Sequence, residues 1–136
     1  MATARLVAVP PAPEAASIGV RRLAVAHIGV AVAAFGVASA MAMMQALSRA
    51  NLELPFRSAS MYYMSVTGHG TLMALVFTTF FIMAFGYVVA ERALGRAVPY
   101  HWLAWASFWL AVTGTLATVA AIVAFTAACV SWEIQD

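Results

Sequence analysis

Four side chains in the apolar part of this 136-residue chain have metal-ligand or nucleophile chemistry: His27, His69, His101 and Cys129. Cys129 stands alone, so it has no internal disulfide partner, and a small buried hydrophobe is its simplest role. His27 lies about one turn into an apolar run. His101 borders another run, beside Tyr100 and Trp102, and both histidines suit hydrogen-bonding places at a polar–apolar boundary. His69 is different. It sits one to two turns inside a long apolar stretch, within Ser65-Val66-Thr67-Gly68-His69-Gly70-Thr71-Leu72-Met73. An imidazole in hydrocarbon must find a partner, so a functional role is its default reading. Gly68 and Gly70 strip bulk from both sides, which weakens the helix but lets a flat, wide ligand come close to the backbone. At helical spacing Tyr62 and Ser65 precede His69 on its face, and Leu72, Met73, Val76 and Phe80 follow it. A polar entrance followed by an apolar wall suits a porphyrin edge, and imidazole is a standard axial ligand of haem iron. The same residues also suit a histidine hydrogen-bonded to a neighbouring helix, with the glycines serving close packing. The residues alone leave both open.

The elements that must hold these groups follow from composition. Apolar residues make up 65% of the chain and charged residues 9%, too few charges for the surface of a soluble domain this small. Three stretches lack Asp, Glu, Arg and Lys: Leu23 to Ser48, Ser58 to Ala90 and Ala97 to Trp132. Each exceeds the roughly 20 residues a helix needs to cross the hydrocarbon core. The expected fold is therefore all-α, an integral membrane protein with three transmembrane helices spanning about Leu23 to Leu47, Met61 to Ala90 and Trp102 to Trp132. Residues 1–17, with Pro10, Pro11 and Pro13 among alanines, read as a disordered leader ahead of a membrane segment over 18–136. Arg21 and Arg22 before an apolar run also suit a twin-arginine signal, but the run is too long, and an uncleaved first helix is the better reading. Gly29, Ala33 and Gly36 in the first span, and Thr113, Gly114, Thr115 and Thr118 in the third, have helix-contact spacing.

Orientation comes from arginine. Arg5, Arg21, Arg22, Arg92 and Arg96 fall on one side, and Arg49 and Arg57 on the other. Five against two places the N-terminus and the second loop in the cytoplasm. The arginines mark topology, and nothing suggests nucleic acid as a partner. No carboxylate or cation lies deep in a span, which removes the paired intramembrane charges of pumps and transporters. No phosphate loop, hydrolase elbow or clustered Cys/His motif is present.

The segment from Tyr62-Tyr63-Met64-Ser65 through Gly68-His69-Gly70 to Val76-Phe77-Thr78 resembles the second helix of haem-copper oxidase subunit I. The closer likeness is to the B-type (ba-type) cytochrome c oxidases. The resemblance covers most of the chain from about Ile18, and only the surroundings of His69 are specific. It implies that His69 is one of two axial ligands of a low-spin haem b, lined by Gly68, Gly70, Ser65, Tyr62 and Met73. It also implies electron transfer toward an oxygen-reducing haem-copper centre carried on later helices. The chain then looks like the first three helices of a larger bundle, whether as a fragment, a split subunit or a truncated frame, and is not catalytic alone. Copper belongs only to the complete complex. The implied partners are the remaining helices or a complementary chain, other oxidase subunits, an electron donor such as cytochrome c, and the lipid bilayer. The implied setting is the cell inner membrane, multi-pass with a cytoplasmic N-terminus. Two alternatives stay open: a small cytochrome b dimer bridged by one haem, and a non-enzymatic packing subunit of a membrane complex.

Overall fold

The computed structural model of the protein describes residues 17–50 and 58–134. Of the expected leader only Ser17 falls within them. The first loop, with Asn51, Glu53, Pro55 and Arg57, lies outside them. The described residues are all-helical, without strands, and form three helices long and apolar enough to cross a membrane. They are α1 (Ile18–Arg49), α2 (Ala59–Leu94) and α3 (His101–Glu133). Each runs past the span expected for it, and α1 and α2 carry caps. Ser17 and Ser58 accept from the backbone N–H of Val20 and Met61 at 3.4 and 3.1 Å. Gly95, at φ 61°, ends α2 in the left-handed conformation that glycine takes without strain.

The pairing of α1 with α2 is an antiparallel zipper. From one end to the other it joins Ser17 to Glu91, His27 to Tyr87 and Phe80, Phe35 to Phe77, Ala38 to His69, Gln45 to Ser65 and Arg49 to Tyr62. Small residues permit it. Ala31, Ala34 and Ala38 form a buried stripe on α1 that lets the backbones approach. The expected stripe of Gly29, Ala33 and Gly36 lies off that seam, for a Cβ on Gly29 or Gly36 would meet nothing within 4 Å. Leu23 of α1, Leu72, Val76 and Phe80 of α2, and Ala104 and Phe108 of α3 complete the core.

His27 packs into that core. It is 3% exposed, its Nδ1 lies 2.9 Å from the Leu23 carbonyl, and the rings of Phe80, Tyr87 and Phe108 surround it at 4.8–5.6 Å.

Only 6% of the most apolar window of α3 is buried. The helix leans on the pair through Ala104 and Phe108 near its start and Thr126 near its end. Between them lies an apolar cavity of about 240 Å³ lined by Val30, Ala34, Gly68, Leu72, Thr115 and Val119, among others. Gly114, expected as a contact, has open space where a Cβ would stand. The hydroxyls of Thr113, Thr115, Thr118 and Thr126 all donate to carbonyls of α3 itself, at 2.8–3.0 Å.

Two close approaches make opposite demands. A Cβ on Gly19 would come within 2.6 Å of His101 Nε2, a buried atom without a hydrogen-bond partner among the described residues. A Cβ on Gly68 would meet the Met41 thioether at 2.7 Å, the far end of a flexible side chain. Gly19→Ala should therefore destabilise the bundle by about 1–3 kcal/mol, the usual range for overpacking. Gly68→Ala should cost clearly less, because Met41 can swing aside. Thermal melting of the two variants in detergent orders them, and equal midpoints would contradict the distinction.

Candidate functional site

His69 lies on α2 where the helix changes type. Residues Ala59–Gly70 are α-helical, Thr71–Phe77 form a π-helical turn, and Thr78–Leu94 return to α. π turns inside α-helices occur frequently at functional sites. The half-buried His69 ring reaches the α1 seam, where Nδ1 lies 2.9 Å from the Ala38 carbonyl. A carbonyl can only accept, so Nδ1 carries the proton in this hydrogen bond and Nε2 presents its lone pair. Nε2 makes no hydrogen bond among the described residues and is not sealed off from the surroundings. The carbonyl fixes the tautomer and ring plane and leaves Nε2 with the lone pair that a metal ligand requires.

The expected companions of His69 are distributed unevenly. Gly70 is exposed, with open space where a Cβ would stand, so a flat ligand has room there. Met73 is half-buried beside the core. Tyr62 is held by Arg49, whose Nε donates to the tyrosine hydroxyl at 3.2 Å. Ser65 is 1% exposed, its hydroxyl donates to the Tyr62 carbonyl at 2.7 Å, and its own carbonyl accepts from Gln45 at 3.0 Å. Gly68 lies against Met41 and lines the cavity facing α3. Ser65 and Gly68 therefore serve helix contacts in this structure, Met73 packs on the core, and Gly70 beside His69 faces open space. Cys129 is half-buried in a separate groove between α2 and α3.

The wall beyond His69 also differs from the simple helical expectation. Leu72, Val76 and Phe80 turn into the core. The aromatic contacts on the Ala38 side are Phe35 with Phe77, at 5.5 Å, and Phe77 stacked on Phe81, at 5.7 Å. Phe35 stands three residues before Ala38, one turn along the same face of α1. Sequence reasoning missed these three rings because it assumed an unbroken α-helical period. It could not see the Ala38 carbonyl at all, since backbone acceptors have no sequence signature. Among the described residues no group of three or more His, Cys, Asp or Glu could hold a metal ion, so iron here would rest on the single imidazole.

The model of one protein family, described as cytochrome c and quinol oxidase polypeptide I, matches residues 22–135. No curated protein and no solved structure matches the chain.

Proposed function

We propose, since the chain belongs to the cytochrome c and quinol oxidase polypeptide I family, that it is the N-terminal part of a terminal oxidase catalytic subunit holding a low-spin haem b through His69. The observation that carries this reading is the His69 ring itself, with Nδ1–H tied to the Ala38 carbonyl and Nε2 open on the seam. The haem supplies one-electron redox chemistry when bound. The residues of the chain do the rest. His69 gives one axial nitrogen in a fixed ring plane. Gly70 leaves the approach clear, and Phe35, Phe77 and Phe81 offer an apolar, water-excluding surface. The second axial ligand and the oxygen-reducing haem-copper centre reside on helices beyond these three. Electrons arrive from an external donor such as cytochrome c. The chain sits in the inner membrane with other oxidase subunits, its N-terminus cytoplasmic, as the arginine distribution supports.

The test is the haem content and reduced-minus-oxidised spectrum of the protein purified with the chains that complete it. A low-spin b-type band in an oxygen-reducing assembly is expected. One haem per two copies of this chain, with no other subunit, would instead favour the bridged dimer. An assembly free of low-spin haem under haem-replete growth would sink the proposal.

A further inference from the structure

An uninterrupted α-helix turns about 100° per residue, so positions 69, 73, 76 and 80 share a face. A π turn takes one residue more for the same rotation. The turn at Thr71–Phe77 therefore moves the face below His69 on by one position, from Val76 and Phe80 to Phe77 and Phe81. The contacts agree. Phe77 touches Phe35 beside Ala38, and Phe81 stacks on Phe77, while Val76 and Phe80 lie in the core. The hydroxyl of Thr78 spans the widened turn, donating to the Met73 carbonyl five residues back at 2.9 Å. Both ends of α2 are pinned: Ser65 and Tyr62 to Gln45 and Arg49, Phe80 and Tyr87 around His27, and Glu91 to Ser17. The extra residue must be absorbed between those anchors.

We propose that this π turn is a positioning device: it holds His69 against the Ala38 carbonyl while keeping Phe77 and Phe81, rather than Val76 and Phe80, on the haem-facing side. The inference rests on His69 as the haem ligand and adds the residues that set its register. It has an unusual consequence. Removing one residue from the turn converts it to ordinary α-helix without changing which residues face the seam. Removing one residue from a stretch that is already α-helical rotates everything beyond it by about 100°.

Leu75 in the turn and Ile82 in the α-helical stretch are similarly exposed, at 63% and 60%, so loss of either side chain removes little packing. In the complete assembly, deletion of Leu75 should keep at least half of the low-spin haem band. Deletion of Ile82 turns Tyr87 and Glu91 away from His27 and Ser17, so it should weaken the α1–α2 pairing and lower the band below half. The melting temperature, which needs no haem, should fall less for the Leu75 deletion than for the Ile82 deletion. Leu75→Ala provides the side-chain control and should match the parent protein in both measurements. Loss of the band or of the folded protein on deleting Leu75, or equal tolerance of the two deletions, overturns the register inference. A parent assembly with no low-spin haem overturns the haem reading instead, and the two melting temperatures then still decide the register.

Discussion

His69→Ala in the complete oxidase should remove the low-spin haem band to below a tenth of its parent intensity, while the protein remains folded in the membrane. Two different bonds of one ring explain the separation. At Nε2, on the proposed reading, the substitution deletes the iron ligand, and His27, enclosed by three rings far along the seam, is not placed to replace it. At Nδ1 it deletes a single hydrogen bond to Ala38, worth about 1 kcal/mol net. The Ala38 carbonyl lies within α1 and keeps its place in the helical ladder, so no buried acceptor is orphaned. A tenfold loss of haem corresponds to about 1.4 kcal/mol of binding, a modest demand on an iron–imidazole bond. The measurement is the reduced-minus-oxidised spectrum beside a melting curve in detergent. An unchanged band would remove His69 from the site, whatever the family of the chain.

His27→Ala should give the opposite pattern, a loss of roughly 2–4 kcal/mol of stability with the haem spectrum kept. That range is typical of emptying a buried site about the size of a leucine. The ring of His27 touches α2 through Phe80 and Tyr87 and α3 through Phe108, so its removal loosens all three helices at one point. His27→Phe should recover most of the loss, because stacking supplies most of the attraction. Its remaining cost is the hydrogen bond to the Leu23 carbonyl, about 1 kcal/mol. Melting midpoints of the two variants check the order. A His27→Ala protein that keeps its midpoint would show that the three-ring enclosure holds nothing together.

The parts of the molecule legible in the sequence are those written in side-chain polarity. Stretches free of charge mark all three helices, because hydrocarbon excludes charge over a length set by bilayer thickness. His69 is conspicuous for the same reason, a polar ring where polarity is costly. What the sequence concealed depends on period and backbone. A π turn leaves no compositional mark, so Val76 and Phe80 looked like the wall below His69, whereas both lie in the core. The Ala38 carbonyl belongs to a residue with no polar side chain. Glycine spacing misled in a related way. Gly29 and Gly36 had the look of contact residues, yet Ala31, Ala34 and Ala38 meet α2, because which face turns inward depends on the partner as well as on the pattern.

The threonines of α3 bear on how further helices can join the three. Each of these hydroxyl protons is already spent on its own backbone, so the threonines of α3 offer a neighbouring helix lone pairs but no donor. Such threonines rest in lipid without penalty, and a helix arriving against them gains a hydrogen bond there only by donating one. Recognition at these positions then rests largely on shape, with side chains that fill the open space at Gly114. The seam at His69 is the reverse, a place where one directional bond waits for its counterpart. Assembly can then be tight on one flank and chemically specific on the other.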